Sequence, residues 1–287
     1  MPEAVPVATT TDSPACAAVA AATWSWKAVR QFVAERFGPC LSPRSCLRYL
    51  HRLGFVWKRP KRRLLKADAA KRAAFVETYR ALVTAARASG AQIWFVDEAH
   101  FRADGDLRGL WTLRGEPALV DSTSPKYGEK ASYYSAICLE TGAVLGCRVE
   151  GTTTAATTVC FLRRLRAHVT APLSVIWDNG AAHRGPELRE YLRTPDLRLQ
   201  LVALPPYSPD FNPDEAVWKW VREEVTANTC FGTAEAVAAA VHAFWVGVDA
   251  RADEVKRRCR SALQSLAFPV PTHPHPSSPQ SLARSSM

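Results

Sequence analysis

Two aspartates each close an apolar run, Asp97 after Gln92-Ile-Trp-Phe-Val96 and Asp178 after Leu173-Ser-Val-Ile-Trp177, and Glu215 closes the stretch that begins at Asn212. A carboxylate at the end of a buried strand is costly to desolvate unless something pairs with it. Each aspartate is followed by a polar residue, Glu98 or Asn179. Each is therefore expected at the carboxyl end of its strand, the edge at which open α/β sheets bind ligands. If the two strands are parallel neighbours the carboxylates lie side by side, and ionised they repel unless a cation sits between them. Mg²⁺ or Mn²⁺ suits such hard oxygen ligands, and there is no Cys or His cluster at zinc spacing. The donor set points to metal-assisted phosphodiester chemistry. Glu215 carries a second reading, because Asn212-x-x-Glu215 with Pro213 at the first helical position is also a capping box. The pattern alone leaves cap and catalyst open.

The elements that must position these groups follow from periodicity. Strands are predicted at Ile93–Asp97, Gly109–Arg114, Ala131–Leu139 and Ala143–Val149, with turns at Gly115-Glu-Pro117 and Glu140-Thr-Gly142. A helix at about Ala155–Val169 follows, then the strand Leu173–Trp177, a short helix after Gly185-Pro186, the strand Leu199–Ala203 and a helix from Pro213. Strands in antiparallel succession, then alternating with helices, predict an α/β fold. Its mixed sheet is flanked by helices in a ribonuclease-H-like order, over about residues 91–267.

Upstream the chemistry of the chain changes. The formal net charge is +10, and between Trp24 and Lys66 twelve Lys and Arg face one acid, Glu35, so the remainder is close to neutral. Such clustering predicts a polyanion partner, nucleic acid ahead of an anionic membrane surface. Trp26, Val29, Phe32, Val33 and Phe37 recur at helical spacing and Gly38-Pro39 ends the pattern; Ser42-Pro43 then caps a second helix. That helix carries Cys46, Leu47, Leu50 and Leu53 on an inner stripe, with Arg44, Arg48 and Arg52 at four-residue steps on another face. Phe55-Val-Trp and the basic residues Lys58, Arg59, Lys61, Arg62 and Arg63 follow. Helix, turn, arginine-bearing helix and basic wing describe a small winged helix-turn-helix over about 23–66, whose second helix enters a major groove while the wing grips phosphates. The alternative is a helical hairpin whose arginines face water. A helix at about Ala67–Ala88 links the two domains. The Ala/Thr/Pro-rich leader to about residue 22 and the Pro/Ser/His-rich tail from 268 are expected to be disordered. His273 and His275 in that tail belong to a loose Pro-rich segment rather than to a metal site.

Three blocks carry a resemblance: Trp94-Phe-Val-Asp-Glu98, Trp177-Asp-Asn-Gly-Ala-Ala-His183, and Leu204-Pro-Pro-Tyr-Ser-Pro-Asp-Phe-Asn-Pro-Asp-Glu215 followed by Val217-Trp-Lys-Trp220. Together they resemble the signature blocks of the DDE transposases of the IS630/Tc1/mariner superfamily. Leu53-Gly-Phe-Val-Trp-Lys-Arg-Pro60 is similar to the end of that family's second helix-turn-helix, and thirty-six residues separate Asp178 from Glu215, close to the family's spacing. The resemblance implies that Asp97, Asp178 and Glu215 are a catalytic triad holding two Mg²⁺ or Mn²⁺ ions. It further implies hydrolysis at the element end, followed by strand transfer into double-stranded target DNA at TA dinucleotides. Asn179 and His183 are supporting candidates that orient Asp178 or touch phosphate, though His183 is equally read as a structural residue of its loop. Asn212, with Tyr207 and Ser208, shapes the loop that aims Glu215. Asp214 stands where the family commonly has an apolar residue, and is expected to add a tolerated charge beside Glu215. Two element ends must be brought together, so a homodimer is expected.

Relatives usually carry a further helix-turn-helix ahead of this one, so a truncated copy with weakened end recognition is expected. Two other functions remain open at this level: a catalytically silent DNA-binding remnant, and a nuclease of the same fold. The eight cysteines are scattered without C-x-x-C pairs and read as small buried residues in a reducing compartment. Without a basic n-region, an apolar signal core or a long apolar run, a cytoplasmic location is expected, bacterial and nucleoid-associated when DNA is bound.

Overall fold

The computed structural model describes residues 19, 21, 23–57, 66–123, 129–180 and 183–267. The chain divides into two compact units, Met1–Arg63 and Leu64–Met287.

In the first unit, α1 (Trp26–Phe37) starts at Ser25, whose side chain accepts from Ala28 N, and stops at Gly38 with φ +89°. The second helix, α2 (Pro43–Arg52), has Ser42 as N-cap and Pro43 in its first turn, as the sequence predicts, because proline at that position forfeits no intrahelical hydrogen bond. Arg44, Arg48 and Arg52 are all exposed. The expected inner stripe is narrower than predicted. Cys46 is buried and Leu50 half-buried, whereas Leu47 and Leu53 are exposed, since α1 covers only one side of α2. Phe55-Val-Trp57 forms no strand, and the wing residues Lys58, Arg59, Lys61, Arg62 and Arg63 lie outside the described residues, as do the two histidines of the tail.

The second unit opens with α3 (Ala69–Ser89), capped by the Asp68 carboxylate, which accepts from Ala70 N and Lys71 N. A five-stranded sheet follows, β1 (Gln92–Arg102), β2 (Lys130–Ile137), β3 (Val144–Val149), β4 (Leu173–Trp177) and β5 (Leu199–Ala203), in the order β3-β2-β1-β4-β5. β1 runs antiparallel to β2 and parallel to β4, which makes the sheet mixed, as expected. Between strands come α4 (Ala155–His168) and α5 (Pro186–Leu192); after β5 come α6 (Asp214–Val221), α7 (Ala234–Val248), α8 (Ala252–Arg258) and α9 (Arg260–Ala267). Trp94, Val96, Val175 and Trp177 pack on one face with α4 and α5. Phe95 and Ile176 point the other way, into a cluster with Phe75 and Val76 of α3, Phe211 and Leu266, and further along β1, Ala99 and Phe101 meet α6 and α7. Successive strand residues alternate faces, so Asp97 belongs to the α6 face and Glu98 to the α4/α5 face.

The predicted strand Gly109–Arg114 is absent. Residues 105–123 form no regular element, and Leu107, Trp111, Leu113 and Leu119 project into solvent. The apolar alternation there pairs with no strand of the five-stranded sheet. The base of this arm is fastened: Gly105 N donates to Thr229 O at 2.9 Å, Arg108 N to Asn228 Oδ1 at 2.7 Å, and Asp104 accepts from Ser122 and Thr123. The described cysteines are free. Cys46, Cys138 and Cys259 are buried as expected, but Cys40 and Cys160 are exposed. Among the described residues no helix is long and apolar enough to cross a membrane.

Candidate active site

Parallel pairing of β1 with β4 ends at Phe95↔Ile176. Two residues further on each strand come Asp97 and Asp178, so register alone sets the two aspartates side by side. Asp178 follows the last residue of β4, as predicted. Asp97 does not end its strand: β1 runs on to Arg102, held by β2 alone, with Asp97 opposite Ser135. The reason is topological. β4 stops and leaves one side of β1 open at the level of Asp97, which gives the carboxylate access while its strand continues.

Glu215 arrives from the other side, in the first turn of α6. The capping-box reading fails there. The N-cap is Pro213 and makes no side-chain cap, while Asn212 Oδ1 accepts from Asp214 N at 3.2 Å and Asn212 Nδ2 donates to Val96 O at 3.3 Å. Asn212 thus ties the start of α6 to the residue before Asp97, and Glu215 is left exposed. A second tie is Arg72 of α3, which grips Asp210 with both terminal nitrogens at 2.9 and 2.6 Å and lies 4.0 Å over the Phe211 ring. Asn179 Nδ2 donates to Leu204 O at 2.7 Å, joining the loops after β4 and β5. Asp97, Asp178 and Glu215 line one cavity of about 640 Å³ together with Asn179, Arg184 and Asn212. Arg184 also donates to Asn179 O at 3.3 Å and places a cation at the rim of this anionic pocket.

The electrostatics are those of a pocket short of positive charge. Burial, followed by repulsion from Glu215, Glu98 and Asp178, holds the Asp97 carboxyl well above the usual carboxylate range. Asp178 moves the other way, chiefly because His183 hydrogen-bonds to it, with Gly180 N donating to Oδ1 at 2.7 Å as well. His183 is buried, stacked on Trp177 at 4.3 Å and 3°. Its Nδ1 lies 3.0 Å from Asp178 Oδ1 and its Nε2 2.8 Å from Glu98 Oε1, the latter an ion-pair contact rather than an aligned hydrogen bond. Burial works against protonating the ring, yet the two carboxylates outweigh it and raise its pKa to about 10. Among the described residues Glu98, Asp178 and His183 bring their ligand atoms within 4.8 Å of one another, a closer grouping than that of Asp97, Asp178 and Glu215. The donor chemistry of the triad nevertheless fits a divalent cation: three carboxylates and no sulfur, with the Asp97 carboxyl held above the usual range by burial and by its acidic neighbours.

Asp214 departs from expectation. It adds no surface charge beside Glu215 but is wholly buried, accepting from Ser135 Oγ on β2, and its other oxygen has no hydrogen-bond partner. Burial first, then repulsion from Asp97, raises its pKa well above the ordinary range. Glu98, Ser135 and Arg184 were not among the candidates read from sequence. For Glu98 the signal was there, since strand alternation sends it to the face opposite Asp97, toward the His183 loop. No local pattern marks Ser135 or Arg184.

Residues 92–238 match the family model described as DDE superfamily endonuclease, and residues 20–79 match a winged helix-turn helix model. No curated protein matches the sequence. Among solved structures, the Mos1 mariner paired end complex with Mn is 16% identical, with a TM-score of 0.60, covering 83% of this chain and 72% of that one. The Mos1 mariner paired end complex with Mg is 15% identical with a TM-score of 0.58, over 85% and 78%. The Mos1 Strand Transfer Complex is also 15% identical, with a TM-score of 0.57, over 85% and 76%. At such identity these neighbours establish a shared fold, the ribonuclease-H-like sheet. With a family model spanning just over half of its length, this chain belongs to the DDE superfamily of endonucleases, preceded by a winged helix-turn-helix.

Proposed function

We propose that the protein is a transposase of the IS630/Tc1/mariner type, which cleaves DNA at the ends of its own element and joins those ends to target DNA at TA dinucleotides. The observation that carries this reading is the convergence of Asp97, Asp178 and Glu215 on one cavity, from β1, the end of β4 and the start of α6. In this proposal the three carboxylates hold two Mg²⁺ or Mn²⁺ ions. When bound, such ions supply Lewis-acid stabilisation of the transferring phosphoryl group and a lower pKa for the attacking water or hydroxyl. The protein's own residues do the rest. Asn212 and Arg72 fix the approach of α6 so that Glu215 faces the aspartates, Asn179 braces the loop behind Asp178, and Arg184 meets a phosphate at the rim. Arg44, Arg48 and Arg52 of α2 reach base edges in the major groove of the terminal repeat, and Lys58, Arg59, Lys61, Arg62 and Arg63 hold its backbone. A TA step is easily unstacked and suits a bent target. The Mos1 neighbours, paired end complexes with Mn and Mg and a strand transfer complex, support the same reading.

The deciding experiment is incubation of the purified protein with Mn²⁺, DNA carrying the inverted repeats that flank its gene, and a plasmid target. Cleavage at the repeat ends plus joined products whose junctions sequence to TA are expected. Binding without cleavage identifies a silent remnant, and nicking that ignores the repeats identifies a nuclease of the same fold.

Pairing two ends calls for two copies of the chain, and the arm over residues 105–123 is the surface proposed to bring them together. Its base is fastened while Leu107, Trp111, Leu113 and Leu119 stand in water, an apolar display that monomers rarely keep. Buried tryptophans dominate such interfaces, so Trp111→Ser is expected to weaken self-association about tenfold in analytical ultracentrifugation. An unchanged dimerisation constant, or a wild-type protein that stays monomeric with DNA ends bound, rejects this surface.

A further inference from the structure

We propose that Glu98 is a positioning residue for the reaction: acting through His183, it fixes the rotation of the Asp178 carboxylate that faces the catalytic cavity. The inference rests on the reading of Asp178 as a cation ligand and adds to it a second layer on the opposite face of the sheet.

Asp97 and Glu98 are consecutive in β1, so strand geometry sends them to opposite faces. Asp97 joins the cavity shared with Asp178 and Glu215; Glu98 and His183 do not line it. Glu98 instead shares its face with Trp94 and Val96, on the side of α4 and α5. His183 spans the end of β4 on that face. Its ring lies flat on Trp177, the last residue of β4, with centroids 4.3 Å apart and an interplanar angle of 3°, so it can neither tilt nor slide without losing this stack. One ring nitrogen faces Glu98 Oε1 at 2.8 Å and the other faces Asp178 Oδ1 at 3.0 Å. The carboxylate–histidine–carboxylate line thus runs from the middle of β1, around the end of β4, to the first residue of the loop that follows.

Asp178 needs such a restraint because it lies beyond the strand ladder and is itself exposed. A carboxylate there turns freely about its side-chain bonds, and ordering it on cation binding costs conformational entropy. Its Oδ1 accepts from Gly180 N at 2.7 Å and lies 3.0 Å from His183 Nδ1, which also contacts the Asp178 backbone oxygen at 3.2 Å, contacts that together set the carboxylate plane and direct its second oxygen. Glu98 completes the line by anchoring the far side of the imidazole, whose buried position leaves it few other partners. Partners such as His183, one contact removed from a metal ligand, typically alter metal affinity or activity by about 10–100-fold when removed, and Glu98 acts through that partner.

The test is carried out on the full-length protein with Mn²⁺ as the probe. Mn²⁺ binding to the DNA-free protein is read by electron paramagnetic resonance of the free ion, and repeat-end cleavage is followed across a Mn²⁺ titration. Glu98→Gln keeps the shape and removes the charge; it is expected to raise the Mn²⁺ dissociation constant and the half-saturating concentration for cleavage about tenfold. The rate at saturating Mn²⁺ should fall far less. A purely structural role lowers thermal stability and the saturating rate and leaves the Mn²⁺ dependence in place. His183→Gln should shift Mn²⁺ binding by at least as much, and the double variant no further than His183→Gln alone, since two links of one line act as a unit. If Glu98→Gln does not fold, Glu98→Asp, which draws the carboxylate back by one methylene, reads out the same shift. Unchanged Mn²⁺ dependence in the folded Glu98 variant, or additive losses in the double variant, overturns the proposal. Asp178→Ala separates it from the reading beneath: if that variant still cleaves, Asp178 is no ligand at all, whereas an inactive Asp178→Ala beside an unaltered Glu98→Gln removes only the positioning line.

Discussion

Asp97→Asn is expected to lower repeat-end cleavage in Mn²⁺ by roughly a thousandfold or more, about 4 kcal/mol of transition-state stabilisation, while binding of the same DNA is unchanged. The asymmetry follows from placement. Asp97 projects into the cavity shared with Asp178 and Glu215, whereas the arginines proposed to read DNA belong to the separate unit Met1–Arg63. The same substitution should also stabilise the protein when divalent cations are chelated. Wild-type Asp97 is desolvated and repelled by Glu215, Glu98 and Asp178, and a neutral amide of equal size escapes both effects. A more stable and inactive variant is the expected signature of a site that trades stability for function. Because the Asp97 carboxyl is held above the usual carboxylate range, cation binding competes with its protonation. Apparent Mn²⁺ affinity in the wild type should therefore rise with pH through the interval where Asp97 is still protonated. Cleavage surviving within tenfold of wild type rejects Asp97 as a ligand. An inactive variant that melts lower in chelator rejects the account of the pocket as starved of positive charge.

The site was legible in sequence to the extent that backbone pattern encodes it. Asp97 and Asp178 each interrupt a run of strand-forming residues, and a sheet whose parallel strands share register must then set them together. Glu215 was ambiguous because Asn212 and Pro213 are good helix-start residues whatever their neighbour does. In the fold the Asn212 amide is spent on Val96 O and Asp214 N. The segment Gly109–Arg114 was misread for the complementary reason. Alternating apolar residues signal a half-buried strand only where another strand offers an edge, and pairing is a property of the whole sheet that a local window does not contain. α7 went unmarked because Ala and Val dominate several of its faces, which flattens the contrast that reveals an amphipathic helix. Asp214 shows the limit most sharply. The sequence places a tolerated charge beside Glu215, yet the first turn of α6 rotates adjacent side chains far apart and sends this one inward to Ser135.

That inward turn has a measurable consequence: Asp214→Asn should stabilise the protein at neutral pH, with the gain vanishing in acid. Asp214 is wholly buried, one of its oxygens has no hydrogen-bond partner, and the strongest charge repulsion on it comes from Asp97. Its folded-state pKa therefore lies well above that of the unfolded chain, near 3.9 for an aspartate. For an acid shifted in this direction the native state binds the extra proton. Its favourable contribution is complete below the unfolded pKa, and it declines as pH rises toward the folded one, by about 1.4 kcal/mol per pH unit. The asparagine variant has nothing to protonate and its amide still reaches Ser135 Oγ, so this slope disappears. Urea unfolding of both proteins in chelator should give equal stabilities near the unfolded-state pKa and a difference that widens as pH rises above it. A difference that is flat or narrows with pH means that Asp214 is ionised in the fold, and the second carboxylate oxygen must then have a cationic partner. The widening difference instead means that a neutral acid fastens the first turn of α6 to β2. The neighbouring Glu215 is then presented to the cavity by a buried hydrogen bond whose strength depends on that proton, a dependence absent wherever an apolar side chain fills the same position.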